Sequence, residues 1–147
     1  MIRKLTVEDR KLYVEMAHEF YHSDAVLHPV PDAFFERTAD EALQSGQYAE
    51  IFVFEYEDRP AGYGLIAKSY SQEAGGAVWW IEEVYIREEF RSKGLGREFF
   101  QYLEEYMPPE VRRLRLEVEE DNVRAASLYR RLGYEVLGYV QMIKDIK

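Results

Sequence analysis

Cysteine is absent from the 147 residues of this chain. Its absence excludes disulfide bonds, a thiol nucleophile and zinc sites built on cysteine ligands. Histidine is scarce, and although His18 and His22 have the four-residue spacing of a helical metal pair, we predict no metal site. A chain with 47% hydrophobic and 15% aromatic residues can form a conventional core, so the fold needs neither metal ions nor disulfides.

Basic residues are too few to balance the acidic ones, which leaves a formal net charge of −9. Because a nucleic-acid binder must neutralise phosphates with basic groups, this balance argues against nucleic acid and is compatible with a cationic substrate. The sequence also lacks a long apolar run, a lipidation motif and a signal-peptide pattern. We therefore expect a cytoplasmic protein that does not associate with membranes.

Hydrophobic periodicity predicts an α/β (α+β) fold in a single domain, residues 1–147. The predicted order is β-α-α-β-β-β-α-β-α-β-β, which gives a mixed central sheet of about seven strands with four helices. The last two strands are expected at 134–137 and 140–143. A glycine-punctuated helix crosses between the strands around Val84 and Leu116, and such a crossover makes these two strands parallel.

The most informative stretch runs from Trp79 to Tyr106. A strand rich in β-branched and aromatic residues leads into a polar turn, a glycine loop at 91–96 and an amphipathic helix. Glycine lets a ligand approach the main chain, and the first turn of a helix offers unpaired N–H groups, so this junction can hold a phosphate. Arg91, Lys93 and Arg97 add positive charge. Taken alone, the glycines are better explained by a tight strand-to-helix turn, and the residues present exclude both the P-loop and the dinucleotide motif.

A second pattern follows downstream, where the segment from Asn122 to Tyr134 reads Asn-x-x-Ala-x-x-x-Tyr-x-x-x-Gly-Tyr. Together with the upstream Arg-x-x-Gly-x-Gly loop, it resembles the GNAT superfamily of acyl-CoA-dependent N-acyltransferases over essentially the whole chain. The resemblance implies a single GNAT-like domain with acetyl-CoA as the acyl donor, splayed parallel strands at the cofactor site, and a homodimer. The cofactor-binding residues that it implies are Val84, Tyr85 and Ile86 along the pantetheine arm, Arg91, Ser92, Lys93, Gly94, Leu95, Gly96 and Arg97 at the pyrophosphate, and Asn122, Arg124 and Ala125 towards the nucleotide end.

Acetyl transfer to an alkyl amine needs a base, because a free amine has a pKa of about 10.4 and is protonated at neutral pH. Glu82 and Glu83 precede the cofactor-binding residues on the central strand and point to opposite faces, so we expect one of them to be this base. The resemblance implies that Tyr129 gives a proton to the coenzyme A thiolate. Through the paired acids it extends to the spermidine/spermine acetyltransferases, so we expect a small cationic amine such as a polyamine, bound by Glu82, Glu83, Tyr21 and Trp80.

Two other functions remain open from the sequence. In the first, the enzyme acetylates a protein N-terminus or a lysine side chain, with the loop from Tyr21 to Pro31 forming a peptide groove. In the second, a non-catalytic acyl-CoA-binding module keeps the cofactor residues and transfers nothing, although Tyr129 and both glutamates argue against it. The absence of cysteine favours direct attack in a ternary complex over a thiol-linked acyl-enzyme. Without the resemblance, Tyr129 is better explained as a core aromatic at helical spacing. Tyr21 and Trp80 can equally be core or dimer residues.

Overall fold

Five strands form one mixed sheet in the computed structural model, which describes residues 1–26 and 28–146. Their order in the sheet follows their order in the chain, and the pairs β1–β2, β2–β3 and β3–β4 are antiparallel. β4 and β5 run parallel, which confirms the crossover predicted from the sequence. The strands are β1 (Ile2–Lys4), β2 (Ala49–Tyr56), β3 (Arg59–Ser71), β4 (Gly76–Ile86) and β5 (Val111–Leu116).

Helices cover both faces of this sheet because β2 is apolar on both of its sides. Ile51 and Val53 pack in a core with α1 (Arg10–Tyr21) and α2 (Asp32–Gln44). Phe52 and Phe54 alternate with them and pack on the opposite face, against Phe99 of α3 (Leu95–Tyr106). All four β2 side chains are at most 1% exposed, as predicted for a strand inside the sheet.

A β-bulge interrupts β4 at the position of the two glutamates. Leu65 of β3 pairs with Glu83, and Ile66 pairs with Ile81, so Glu82 is an extra residue without a register partner on β3. A bulge of this kind bends the strand locally and increases its twist.

The bulge also reverses which residues of β4 face each helical layer. Trp79 lies against Tyr106 of α3, whereas Tyr85 lies in the core formed with α1 and α2, although both have odd numbers. Glu83 and Tyr85 face the same side of the sheet, because both side chains contact α1. Glu83 accepts from Tyr21, and Tyr85 donates to Glu19. Simple alternation along the strand therefore does not predict which side chains share a face.

The chain divides into two compact units, Met1–Leu116 and Glu117–Lys147. The second unit contains α4 (Val123–Arg131), so the structure has the four α-helices that the sequence predicts. The prediction of about seven strands is wrong: in the described residues β5 is the last strand, and 134–146 contain none. Their apolar pattern is typical of strands, but a strand also needs a neighbouring ladder, and no pairing is formed there. None of the helices in 1–26 and 28–146 has the length and apolar character to cross a lipid bilayer.

Candidate active site

The parallel pairing of β4 with β5 ends before β4 does. The last pair joins Ile81 to Leu116, whereas β4 continues to Ile86. The Arg87 N–H donates to a β3 carbonyl at 2.8 Å, and main-chain groups alternate sides along a strand. The N–H groups of Val84 and Ile86 therefore face away from β3, on the side where β5 no longer pairs.

A cavity of about 270 Å³ lies along this end of β4. Its walls come from the end of α1 and the residues after it, from β4, and from the start of the glycine loop. The lining residues are Phe20, Ser23, Ala25, Val84, Tyr85, Ile86 and Arg91. Three of the predicted cofactor-binding residues on β4 therefore line one cavity, together with the first residue of the predicted pyrophosphate loop.

The first turn of α3 lies directly beside this cavity. A methyl group on Gly96 would be 3.9 Å from Cδ1 of Ile86. Gly94, the residue that precedes the helix, has a φ of +81° and no side chain to cap the first turn. The first helical N–H groups have no partner within the helix, so this turn presents main-chain donors and a positive dipole end.

The loop that leads into α3 is exposed and basic. Arg91, Lys93 and Arg97 are all exposed, and the Arg91 Nε donates to the carbonyl of Ile86 at 3.1 Å. Ser92 has a φ of +62°, in the left-handed region that favours glycine. The structure thus requires at this position the conformation for which glycine is best suited.

Glu83 is held by two tyrosine hydroxyl groups from different elements. Tyr63 on β3 donates to Oε1 at 2.7 Å, and Tyr21 at the end of α1 donates to Oε2. The Tyr63 ring packs edge-on against the Tyr13 ring with centroids 5.0 Å apart. The carboxylate therefore lies in a small aromatic chamber on the α1 side of β4, and Tyr21 forms part of that chamber.

This environment changes the proton affinities of the groups in the chamber. Burial raises the pKa of Glu83 above its ordinary value, and the two tyrosine hydrogen bonds oppose part of that rise. Burial, followed by the Glu83 charge, raises the pKa values of Tyr13 and Tyr63, and burial with the Glu83 bond raises that of Tyr21. A partly buried carboxylate with a raised pKa, surrounded by neutral phenols, is suited to accept a proton from a substrate.

The other predicted substrate residues are placed differently. Glu82 is exposed on the bulge and does not share the chamber of Glu83. Trp80 carries the guanidinium of Arg115 over its ring at 4.0 Å, so a cation of the protein already occupies one ring face. Of the predicted substrate residues, the structure brings together Tyr21 and Glu83.

An ion-pair network fixes the end of α1 against β4. Arg87 donates to Glu19 through Nε at 3.0 Å and Nη2 at 2.8 Å, and Tyr85 donates to the same carboxylate at 3.1 Å. Arg87 also donates to the carbonyl of Pro60 at 3.2 Å. The network joins α1, β4 and the start of β3, and so supports both the cavity and the chamber.

Glu19 also completes a His-Glu-x-x-His order from His18 to His22, which is the residue order of a zinc metalloprotease helix. In the structure, Glu19 and His18 form bonds with other side chains of the protein. Glu19 is bound by Arg87, and the His18 Nδ1 donates to Asp32 of α2 at 2.9 Å. In residues 1–26 and 28–146 no group of three metal-ligating side chains is present.

The remaining predicted residues belong to the second unit. Asn122 caps α4, with its Oδ1 accepting from the N–H of Ala125 at 3.1 Å. Tyr129 is half-buried on the same helix, its ring 6.1 Å from that of Tyr134, and burial raises its pKa. Arg124 is exposed in the first turn. Their roles stay predictions.

Tyr63, Tyr13, Glu19 and Arg87 have clear places in or beside the site, and the sequence analysis missed all four. Tyr63 lies between two glycines on β3, and this pattern indicates a close backbone contact but gives no role to the ring. Its contact with Glu83 depends on the register between β3 and β4, and the bulge sets that register. A hairpin model without a bulge would have misplaced it.

The chain is similar to known acetyltransferases in sequence and in fold. Residues 11–134 match the model of the Acetyltransferase (GNAT) family. A spermine/spermidine N(1)-acetyltransferase of Bacillus subtilis is 30% identical over 80 residues, which cover 53% of this chain and 52% of that protein. The chain thus spans about half the length of the curated relatives it matches.

Solved structures match over nearly the full length at low sequence identity. A possible acetyltransferase of Clostridium difficile 630 superposes with a TM-score of 0.83 at 18% identity, covering 100% of this chain and 97% of that one. An aminoglycoside N-acetyltransferase in complex with CoA superposes with a TM-score of 0.79 at 14% identity, covering 99% and 93%. At these identities the likeness establishes a common fold.

Proposed function

The chain belongs to the GNAT family of acetyltransferases, and on that premise we propose that it moves the acetyl group of acetyl-CoA to a primary amine of a small cationic molecule such as a polyamine. The observation that carries the proposal is the free edge of β4 beyond Ile81, with a cavity and the uncapped first turn of α3 beside it. Family membership supports the chemistry, and the chamber around Glu83 supports the amine.

The cofactor would be held mainly by main-chain groups. Pantetheine contains amides that can pair with the outward N–H and C=O groups of Val84 and with the N–H of Ile86, which are costly to bury without partners. The pyrophosphate would lie at the first turn of α3, where helix N–H groups and the exposed Lys93 and Arg97 favour an anion. When bound there, acetyl-CoA supplies the activated acyl group.

Glu83 is the better candidate for the base of the two glutamates. Its carboxylate lies in the chamber and accepts hydrogen bonds from Tyr21 and Tyr63, whereas Glu82 is exposed on the bulge. In the proposed step Glu83 would take one proton from the substrate ammonium, and the resulting neutral amine would attack the acyl carbonyl. The C–S bond of the thioester would then break, and the nitrogen would lose its second proton to solvent as the amide forms. Because burial raises its pKa, Glu83 is a stronger base than an ordinary carboxylate.

Tyr129 is proposed to return a proton to the departing thiolate. Burial raises the pKa of its phenol, which keeps the hydroxyl protonated at neutral pH and available as a donor. If Tyr129→Phe leaves turnover and its pH profile intact for every accepted amine, this role is wrong. A homodimer, also expected from the resemblance, is tested by the mass of the protein in solution.

The proposed class of acceptor follows from the charge of the protein and from the aromatic rings around Glu83. The net charge of −9 attracts cations. Tyr21 and Tyr63 both bind Glu83, and the Phe20 ring packs against each of their rings. An ammonium group is stabilised both by a carboxylate and by aromatic faces. The similarity of 80 residues to a spermine/spermidine acetyltransferase supports the same class.

A thiol-release screen tests the proposal. Purified protein is mixed with acetyl-CoA and with polyamines, amino acids, aminoglycosides or peptide N-termini in separate reactions, and free coenzyme A is measured. Polyamines are expected to give the highest kcat/KM. Faster release with peptide N-termini would favour a protein acetyltransferase, and acetyl-CoA binding without release by any amine would favour the non-catalytic module.

A further inference from the structure

The two hydrogen bonds to Glu83 come from tyrosines in very different surroundings. Tyr63 lies within β3 and is 0% exposed, whereas Tyr21 is the last residue of α1 and is partly exposed. We infer that Tyr63 is a positioning residue, whose hydroxyl fixes Oε1 of Glu83 and leaves the Oε2 side for the acceptor amine. The inference rests on the proposed role of Glu83 as the base and goes beyond it by assigning the group that sets its orientation and its proton affinity.

Packing leaves the Tyr63 hydroxyl little freedom to move. Its ring is in edge-on contact with Tyr13 and lies 5.9 Å from the Tyr85 ring and 6.5 Å from the Phe20 ring. Rings packed on several sides cannot change rotamer without displacing their neighbours. The 2.7 Å bond to Glu83 is therefore built into the core, and it fixes a carboxylate whose own strand is bent by the bulge.

Tyr21 is held less firmly than Tyr63. Its ring packs against Phe20 and Phe35, and the chain leaves the helix directly after it. The Oε2 side of Glu83 is thus bounded by a side chain near a helix end. Because Tyr21 has the looser surroundings of the two tyrosines, we assign its hydrogen bond as the one that yields when an amine binds Glu83.

The carboxylate of Glu83 has enough lone pairs to bind an amine and Tyr63 at the same time. An ionised carboxylate offers about four acceptor sites, and the two phenols occupy two of them. An ammonium can therefore donate to Glu83 while Tyr63 stays bound. After the proton transfer, the carboxylic acid still has acceptor capacity for the Tyr63 hydroxyl, so the positioning bond persists through the reaction.

In the part of the chain that the structure describes, three phenols interact with the charge of Glu83, and one further acid is adjacent to it in sequence. Tyr13 and Tyr21 approach from α1, Tyr63 approaches from β3, and Glu82 is the adjacent residue on β4. From α2, the ring of Phe35 reaches the chamber by its contact with Tyr21 and carries no charge. A donor bond favours the ionised form of Glu83, so removing the Tyr63 hydroxyl raises the pKa of Glu83 further.

The variant Tyr63→Phe removes this hydroxyl and keeps the ring. The matched control is Tyr13→Phe, which removes a buried hydroxyl from the neighbouring ring, 1% exposed, without deleting a bond to Glu83. Carbon-13 NMR of the Glu83 carboxyl, titrated without substrate, reads the pKa directly. The pH profile of kcat/KM for the best amine of the screen reads the same group during catalysis.

We expect Tyr63→Phe to move both the NMR midpoint and the acidic limb of the profile upward by about one pH unit. Tyr13→Phe is expected to move them much less. The inference is overturned if Tyr63→Phe leaves both midpoints where they are in the wild type, or if the control shifts them equally. Difluorotyrosine at position 63, a stronger donor that preserves the packing, should shift both midpoints downward, and it serves if Tyr63→Phe fails to fold.

The two readouts separate this inference from the proposed function. If the wild type releases no coenzyme A with any amine, the proposed function fails while the NMR midpoint still tests the Tyr63 bond. If the wild type is active and the Tyr63→Phe midpoints are unchanged, the inference fails and the proposed function stands.

Discussion

Replacing Glu83 by glutamine is the perturbation that separates catalysis from stability most clearly. Glutamine has nearly the same size and keeps one carbonyl oxygen that can accept from Tyr63 at the present 2.7 Å. It removes the negative charge and the ability to take a proton. The packing of the chamber should therefore survive, and only the acid–base function should be lost.

The expected loss of activity follows from the role proposed for this carboxylate. A positioned general base contributes about 10²- to 10⁴-fold to a rate, so kcat/KM at neutral pH should fall by that factor. This corresponds to about 3–5 kcal/mol of transition-state stabilisation. Glu82→Gln is the companion variant, and because an exposed charge contributes at most about 1 kcal/mol, it should change kcat/KM by no more than about fivefold.

The free energy of unfolding of Glu83→Gln should not fall with its activity, and it should rise or stay the same. The pKa of Glu83 is raised in the folded protein, so its titration contributes stability that is full below the unfolded-state pKa and is lost as the pH rises through the folded-state pKa. Above the folded-state pKa, the buried negative charge of Glu83 therefore destabilises the fold. Glu83→Gln removes that charge, and its free energy of unfolding at pH 7 should equal or exceed that of the wild type.

The assay measures coenzyme A release with the best amine, alongside urea unfolding of both variants and the wild type. A Glu83→Gln protein that is folded, at least as stable as the wild type and strongly impaired fits the account. Full activity in Glu83→Gln would refute the assignment of the base, and so would a larger loss in Glu82→Gln. A large loss of stability in Glu83→Gln would refute the analysis of its buried charge.

Three further predictions concern the fold. Asp9 has its pKa lowered to about 2, mainly by its bond with Arg3, so Asp9→Asn should cost about 2 kcal/mol of unfolding free energy at pH 7, and the difference from the wild type should vanish as the pH falls from 3.8 to about 2. Gly64→Ala would place a methyl group 2.4 Å from the Phe99 ring and should cost about 1–3 kcal/mol in urea unfolding. Ser92→Gly should raise stability by up to about 1 kcal/mol, because the left-handed region costs other residues about 1–2 kcal/mol and the extra freedom of glycine offsets part of the gain.

Each of these predictions has a result that contradicts it. A difference between Asp9→Asn and the wild type that persists unchanged in acid would exclude the carboxylate charge as its source. Gly64→Ala with wild-type stability would mean that Phe99 moves aside at no cost. Ser92→Gly that is less stable than the wild type, with Ser92→Ala as the matched control, would show that the serine side chain stabilises this loop.

The regular part of the fold was predictable because local pattern and tertiary need agree there. The apolar run of β2, the stripe of α3 and the glycine before α3 each specify one structure, and the first nine elements appear in the predicted order. The segment 134–146 has the same kind of strand pattern, yet it forms no strand. Strand formation depends on a partner, which a single segment cannot specify.

The site was predictable in its main-chain part and less so in its side chains. The resemblance implies cofactor binding by Val84, Ile86 and the loop before α3; Val84, Ile86 and the first loop residue, Arg91, line one cavity, and their binding role stays a prediction. It leaves the choice between Glu82 and Glu83 open, and it gives no role to Tyr63. Both depend on the bulge in β4, which shifts the facing of the strand by one residue and has no signal in the periodicity.

The central claim is that main-chain groups at the free end of β4 and the first turn of α3 bind acetyl-CoA. Amide NMR of the labelled protein, titrated with acetyl-CoA, tests it residue by residue. If acetyl-CoA binds there, the shifts are saturable and are largest at Val84, Ile86 and the amides of 95–97. No shift at saturating acetyl-CoA, or shifts centred on the opposite edge of the sheet at β1, would contradict it.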